Sequence, residues 1–223
     1  MNSKQVFWLF SMFIFANTLC FGQNVQVHYD FGEDRDFVTT TLEMFKPDPL
    51  GATFWFVDMD YDSKNNSNSL SYWEIARYFN LPMLHEKLSA SVQYNDGVAL
   101  FGPLHSVWLA GVTYAFDFGF ITLNTELLYR YMDVSESPDF QLTFVWVEYY
   151  LQEKIQFAGY FDYYTQDNAF GKKLNIIQAE PQLWYVLNDH FYIGGEVEVS
   201  RNFIPQFDDN LMFMPTLAVK WIF

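Results

Sequence analysis

The chain has 223 residues, of which 51% are hydrophobic and 21% aromatic, and its formal net charge at pH 7 is −15. So acidic a chain is repelled by polyanions, which argues against nucleic acid and anionic lipid headgroups as partners. The single cysteine, Cys20, excludes a disulfide within the chain.

The first 22 residues carry the pattern of a secretory signal peptide. Lys4 precedes an apolar run over residues 6–15, and the small residues Ala16 and Gly22 follow. The run is too short to span a bilayer as a helix. We therefore predict a signal peptide over 1–22 and a single domain over 23–223.

Cys20 offers an alternative, because a cysteine after an apolar run can mark a lipoprotein. Leu19 stands directly before it, however, where such a site normally needs a small residue. Signal cleavage after Gly22 is therefore favoured, and it leaves the mature chain without cysteine. Thiolate metal sites and cysteine nucleophiles are then excluded as well.

Beyond residue 22 no apolar stretch approaches the roughly 20 residues of a transmembrane helix. Apolar residues alternate with polar ones instead, which indicates strands. We predict twelve, at approximately 24–31, 37–46, 52–62, 69–79, 87–96, 105–116, 120–132, 139–151, 154–165, 174–187, 190–200 and 212–223. Most connections after even strands are short, as in a closed single-chain barrel of the outer membrane. Both termini are then periplasmic.

The last predicted strand shows which face would meet lipid. Leu217, Val219, Trp221 and Phe223 share one face at period two, with Lys220 on the other. The terminal Phe223 resembles the sorting signal read by the barrel-assembly machinery. We therefore predict an all-β fold, a closed antiparallel transmembrane β-barrel of about 12 strands, which lies as a monomer in the outer membrane lipid of a Gram-negative bacterium.

Aromatic residues are numerous enough for girdles at both membrane interfaces, since the chain has 25 Phe, 15 Tyr and 7 Trp. Five tryptophans are predicted to be mostly lipid-facing or interface anchors: Trp55, Trp73, Trp146, Trp184 and Trp221. A soluble lipocalin-like barrel is the alternative, but it reverses the polarity, with apolar residues inside and polar ones outside. The aromatic faces of twelve strands are too many for one such interior.

Two segments resemble a known family. Residues 56–59 (FVDM) and 73–79 (WEIARYF) are similar to the FVDM and MEIEPRF patterns of the Tsx-like nucleoside-specific channel-forming outer membrane proteins. The start of the mature chain, 25–32 (VQVHYDFG), and its end, 215–223 (PTLAVKWIF), also look like a small branch of that superfamily. The resemblance implies a narrow twelve-stranded barrel and a nucleoside as the solute. Arg77, within the second segment, shares the parity of apolar neighbours, so it lies at the membrane interface or marks a bulge.

A pore for nucleosides needs aromatic faces for the base and hydrogen-bond acceptors for the ribose hydroxyls. The predicted inward faces offer both, in an interior that is polar and acidic with a few cations. The candidate substrate-binding residues are Phe56, Asp58, Asp60, Tyr72, Glu74, Glu126, Arg130, Asp162, Glu180, Glu196 and Glu198. Glu126 and Arg130, four residues apart on one inward face, are predicted to be a structural ion pair. We predict neither a cofactor nor a metal ligand.

Two other functions stay open. Outer membrane lipid-modifying enzymes also use barrels, with a serine, a histidine and an acidic or amide partner on the outer wall. The four histidines are His28, His85, His105 and His190, and no Gly-x-Ser-x-Gly or His-Glu-x-x-His motif accompanies them. We therefore predict no catalytic residue. A structural or adhesive barrel without transport is the third possibility.

Overall fold

The structure is a computed structural model that describes residues 22–32, 35–62, 67–168, 171–203 and 209–223. The predicted signal peptide, with Cys20, lies almost entirely outside these ranges. The described residues form an all-β fold with twelve wall strands. These are β1 (Gln23–Asp30), β2 (Phe37–Asp48), β3 (Gly51–Asp62), β4 (Ser67–Asn80), β5 (Leu88–Ala99), β6 (Val107–Asp117), β7 (Thr122–Met132), β8 (Asp139–Tyr150), β9 (Ile155–Asp167), β10 (Lys173–Ala179 and Gln182–Val186), β11 (Phe191–Arg201) and β12 (Leu211–Ile222).

Every strand pairs antiparallel with its neighbours along the chain, and the first pairs with the last. Val25 of β1 faces Leu42 of β2 on one side and Trp221 of β12 on the other. This last pairing closes the sheet, so every wall strand has a partner on both sides. The prediction of a closed antiparallel barrel with twelve strands is confirmed.

The two ends of the barrel differ in their connections. At the end that holds the chain termini, which we call the terminal end, the shortest turn is 49–50 and the longest connection is 81–87. At the opposite, loop end, the connections run up to nine residues, over 202–210. The described residues contain no helix that is long and apolar enough to cross a membrane.

β10 is interrupted at Glu180 and Pro181 without a change of register. Phe161 faces Ala179 before the interruption and Ala158 faces Gln182 after it, so the pairing with β9 continues unshifted. Proline has no N–H for the ladder, which explains the break. The carbonyl of Pro181 still accepts a hydrogen bond of 3.1 Å from the Val197 amide.

The outer surface is apolar in its middle and aromatic towards both ends. Val27, Ile75, Val92, Val112 and Leu127 are exposed in mid-strand. Exposed aromatic residues lie towards the loop end and the terminal end: Tyr29, Tyr61, Trp73, Trp108 and Tyr131 at the first, and Phe79, Phe116, Tyr150, Tyr185 and Trp221 at the second. An apolar belt between aromatic girdles is the surface of a membrane-spanning barrel. It rules out the lipocalin-like alternative.

One side of the interior is apolar, which the sequence did not predict. The inward side chains of β6 and β7 include Val107, Leu109, Leu128 and Met132, which are between 1% and 5% exposed. They form a small hydrophobic core inside the barrel, because these strands carry apolar residues at both parities. The predicted polar interior is therefore interrupted at these four residues, although β7 also carries Glu126 and Arg130 on its inward face.

Trp184 is a second exception, because its side chain is fully buried inside the barrel rather than at the lipid surface. It packs with Tyr192 and Ala218 near the terminal end. Gly194 of β11 makes room for the indole: a Cβ there would lie 2.9 Å from Trp184 Cε3 and 2.0 Å from the Leu183 carbonyl oxygen. Trp184 is two residues after Gln182 in the same strand, so the alternation that places Gln182 inward also places Trp184 inward.

Candidate lumen site

All the predicted site residues lie on inward faces of the wall. Phe56, Asp58 and Asp60 are on β3, and Tyr72 and Glu74 are on β4. The others are distributed around the barrel: Glu126 and Arg130 on β7, Asp162 on β9, Glu180 in the interruption of β10, and Glu196 and Glu198 on β11. They therefore surround one lumen rather than form one compact site.

The wall of β2, β3 and β4 combines aromatic rings with carboxylates. The ring centroids of Phe54 and Phe56 are 6.0 Å apart, and those of Phe56 and Tyr72 are also 6.0 Å apart. Beside this ladder of rings, Thr41 of β2 donates a 2.5 Å hydrogen bond to Asp58, and Thr39 donates one of 2.6 Å to Asp60. The wall thus offers flat apolar faces next to hydrogen-bond acceptors.

Glu74 extends this wall towards β5. It accepts a hydrogen bond of 2.5 Å from the Tyr72 hydroxyl and one of 2.9 Å from Asn95 Nδ2. Asn95 is only 5% exposed, and its Oδ1 atom has no hydrogen-bond partner among the described residues. A buried acceptor without a donor is rare in proteins, which makes this a place where a solute or water can bind.

Glu126 and Arg130 do not form the ion pair that the sequence predicted. Glu126 accepts hydrogen bonds from Tyr78 (2.8 Å) and Gln93 (2.5 Å), whereas the Arg130 guanidinium donates to Gln166 (3.0 Å). Residues four apart in a strand are about 13 Å apart, so a shared parity does not bring them into contact. Each finds its partners across the strands instead.

Arg130 lies over an aromatic ring. Its guanidinium carbon is 4.4 Å from the ring centroid of Tyr164, and its Nε atom has no hydrogen-bond partner in the described part of the chain. On the same inward face of β9, Asp162 accepts hydrogen bonds from Thr143 (2.5 Å) and Gln141 (3.2 Å). The arginine is 8% exposed and therefore belongs to the wall.

The opposite wall carries three glutamates. Glu196 accepts a hydrogen bond of 2.8 Å from Gln182, and Glu180 accepts one from the Tyr160 hydroxyl. His28 Nδ1 lies 3.4 Å from Glu196, but its ring nitrogens are 3.0 Å from Thr216 Oγ1 and Gln26 Oε1.

Glu198 is paired by a residue that sequence analysis missed. Arg35, in the connection between β1 and β2, donates hydrogen bonds of 2.8 Å to both Asp30 and Glu198. Alternation cannot predict this contact, because a loop residue has no strand parity.

A lysine lies in the half of the same wall that is nearer the terminal end. Lys220 Nζ donates a hydrogen bond of 2.9 Å to Gln156 and lies 4.1 Å from the Trp184 ring centroid. Its inward direction was predicted, but its aromatic neighbour was not. Nearby, the inward side chains of Phe45, Val147 and Tyr149 are about half exposed, which indicates that the lumen is open to solvent at this end.

Arg77 lies at the membrane interface on the outer wall. Its guanidinium donates hydrogen bonds of 2.5 and 2.9 Å to Asp48, the last residue of β2, and lies over the Phe79 ring. The pairing of β3 and β4 is regular at this residue, and its one irregularity falls at Asp60 and Tyr61. Of the two predicted alternatives, the interface position is correct and the bulge is not.

The histidines do not form a hydrolase triad in the described residues. His28 contacts Gln26, Thr216 and Glu196 inside the barrel. The other three are at the ends: His85 caps the Lys87 amide, His105 lies 3.4 Å from Asp133, and His190 contacts the Ile222 carbonyl oxygen. None of these contacts joins a histidine to a serine hydroxyl, which a serine nucleophile requires.

Residues 22–223 match a protein family that is described as a domain of unknown function, DUF5020. The chain belongs to the DUF5020 family. A comparison with curated protein sequences gave no match for this DUF5020 chain. Its relationship to characterised proteins therefore rests on structure.

The DUF5020 barrel is similar to several solved outer membrane barrels. The NanC porin superimposes with a TM-score of 0.59 at 14% identity, over 90% of this chain and 99% of that one. The KdgM porin gives 0.53 at 9%, over 90% and 98%. The outer membrane phospholipase OMPLA of Salmonella typhi gives 0.55 at 13%, over 92% of both chains. At such identities the likeness shows the fold alone.

That fold settles the location but not the substrate. A closed barrel with an apolar belt is built for a Gram-negative outer membrane, and the neighbours are proteins of this class, so the predicted location is confirmed. Because porins and a phospholipase share the architecture, the barrel alone does not decide between transport and catalysis. The likeness to Tsx-like channels stays a resemblance of two segments.

Proposed function

We propose that this DUF5020 barrel is an outer membrane channel through which small solutes diffuse, and that nucleosides are the class it fits best. The ladder of Phe54, Phe56 and Tyr72 beside Asp58 and Glu74 carries the proposal. A nucleobase can lie against the rings while its amino group and the ribose hydroxyls donate to the carboxylates.

The distribution of the polar groups supports passage rather than tight binding. The carboxylates follow the lumen over several strands, and the terminal end is open to solvent. A channel needs weak sites in series, since a solute that binds tightly cannot leave. The porin neighbours have the same fold, and one structure of the KdgM porin is a complex with disordered oligogalacturonate.

The histidine contacts weigh against the lipid-modifying enzyme. The DUF5020 barrel is similar to the Salmonella typhi phospholipase in its fold. On the outer wall, however, the described residues lack a serine that is hydrogen-bonded to a histidine. Lipid hydrolysis by the purified barrel would instead support the lipid-modifying enzyme.

Planar-bilayer conductance tests the proposal directly. The wild-type barrel should conduct ions, and added adenosine should block the current in a concentration-dependent way. Asp58→Asn and Glu74→Gln should weaken this block, because each removes a charge-assisted hydrogen bond from the aromatic wall. Asp96→Asn is the matched control. Asp96 accepts a 2.5 Å hydrogen bond from Tyr94 on the outer surface, so its loss should leave the block unchanged.

Two outcomes would contradict the proposal. A barrel that never conducts is not a channel. A barrel that conducts ions but shows no block by adenosine, with equal swelling of liposomes in nucleosides, sugars and amino acids, is a general channel without nucleoside preference.

A further inference from the structure

Carboxylates face each other across the middle of the lumen. Asp58 of β3 lies within electrostatic range of Glu180 of β10 and of Glu196 of β11, on the far side of the barrel. Glu74 of β4 interacts with Asp162 of β9 in the same way. A charged, low-dielectric channel concentrates ions of the opposite sign.

Neutral groups are the hydrogen-bond donors to these carboxylates. Thr41 donates to Asp58, Gln182 to Glu196, Tyr160 to Glu180, and Tyr72 and Asn95 to Glu74. Such donors satisfy the oxygen lone pairs without adding positive charge. The hydrogen-bond donors to the mid-lumen carboxylates therefore bring no positive charge of their own.

The lumen cations in the described ranges have their direct contacts with other groups, although Arg130 acts electrostatically on Glu74 and Lys220 on Glu196. Arg35 is held between Asp30 and Glu198 at the loop end. Arg130 and Lys220 lie on the rings of Tyr164 and Trp184 and are 8% and 5% exposed. A solute in the lumen therefore meets the carboxylates more readily than it meets these cations.

A second, independent feature indicates a donor-bearing ligand. The Oδ1 atom of Asn95, beside Glu74, is buried and lacks a hydrogen-bond partner among the described residues. Adding an N–H donor from a solute would satisfy it. Next to it, Tyr72 and Phe56 present ring faces, which attract ammonium groups through the cation–π interaction.

We propose that the middle of the lumen is a filter for organic cations, formed by Asp58, Glu74, Glu180 and Glu196 around the Phe56 and Tyr72 rings. This inference rests on the proposed channel function and names the charge class of its permeants. Among charged solutes, amines that carry an N–H donor and a flat or compact apolar part fit the filter best. Neutral nucleosides pass as well, because they donate hydrogen bonds to the same carboxylates, and anions are excluded.

Ion selectivity is the first test. In planar bilayers with a KCl gradient, the reversal potential of the wild-type barrel should show a preference for K⁺ over Cl⁻. The double variant Glu180→Gln, Glu196→Gln should lower the permeability ratio about tenfold, at the low end of the range by which a charged cleft concentrates counter-ions. Each single variant should give part of this effect, which covers the case in which the double variant fails to assemble.

Organic probes of equal size are the second test. Benzylammonium added on one side should block the K⁺ current at lower concentration than benzyl alcohol does, and benzoate should not block. The Glu180 and Glu196 variants should weaken the block by benzylammonium only. Asp96→Asn, which removes the same charge from the outer wall, should change neither measurement.

The outcomes separate the two proposals. Conductance without cation preference, or equal block by benzylammonium and benzoate, overturns the filter and leaves the channel in place. Equal effects of Asp96→Asn and the glutamate variants also overturn it, because the selectivity then follows total charge. A barrel that does not conduct overturns both.

Discussion

The inward faces of β3 and β4 and of β6 and β7 follow the same alternation, yet only the second pair includes a cluster of packed aliphatic side chains, beside the charged Glu126 and Arg130. The first pair presents aromatic rings and carboxylates that remain partly exposed in the lumen. The second presents Leu109 and Leu128, each 1% exposed, within a small apolar core. Part of one wall is therefore packed like a protein interior, whereas the other wall leaves its rings and carboxylates partly exposed in the lumen.

The two walls should differ most in how much the free energy of unfolding falls when a packed residue is truncated. Leu109→Ala should lower the free energy of unfolding by about 2 to 5 kcal/mol, through lost burial and the cavity left behind. The measurement is equilibrium unfolding in urea from lipid vesicles, followed by tryptophan fluorescence. A cost below about 1 kcal/mol would show that the wall of β6 and β7 is not packed as described.

On the outward faces of the two walls, a buried charge should lower the free energy of unfolding by the same amount. Ile75→Arg on β4 and Val112→Arg on β6 should each cost about 2 to 4 kcal/mol, because both would bury a charge near the bilayer midplane. Both residues are exposed on the outer surface at present. Unfolding from vesicles measures the cost, and a penalty at only one of the two sites would contradict the shared membrane depth.

Tyr78 joins the two walls, since its hydroxyl donates to Glu126 on the far side of β5 and β6. Tyr78→Phe removes this bond and should cost about 1.5 to 3 kcal/mol, as expected for a hydrogen bond to a charged group. The double-mutant cycle with Glu126→Gln isolates the pair. Fully additive effects of the two substitutions would mean that the contact contributes nothing.

The smallest stability effect should come from the solute-facing wall. Phe56→Leu keeps an apolar side chain of similar volume and should cost less than about 1.5 kcal/mol. It removes the central ring of the aromatic ladder, however, so the block of conductance by adenosine should weaken. Leu128→Met on the packed wall is the control: a similarly small cost is expected, with no change in block.

Much of this molecule follows from alternation alone. Ser89 to Asn95 and Glu196 to Glu198 alternate cleanly, so strand positions, faces and barrel class could be read from the sequence. Alternation fails in VWLAGVTYAF (107–116), where both parities are apolar, and hydropathy cannot choose the inward face. The inward face of β6 is determined by its pairing with β5 and β7.

The contacts within the lumen were harder to predict for a different reason. Glu126 finds Tyr78 and Gln93, and Arg130 finds Tyr164, across strands that are distant in sequence. Those pairs depend on the stagger between strands, which periodicity does not contain. The burial of Trp184 could have been predicted, since this residue shares the strand face of Gln182. The size of the indole instead favoured a position at the membrane interface.

Gly194 has a consequence for how such a barrel can diverge. Alanine at this position would meet the Leu183 carbonyl oxygen and the Trp184 indole, so the ring or the strand pair must move. The indole is what covers the Lys220 ammonium. A relative that carries a side chain here would expose that positive charge to the lumen without any change in its own complement of charged residues. The electrostatic character of the lumen would therefore change through a substitution at an uncharged position, where a comparison of charged residues alone would find no difference.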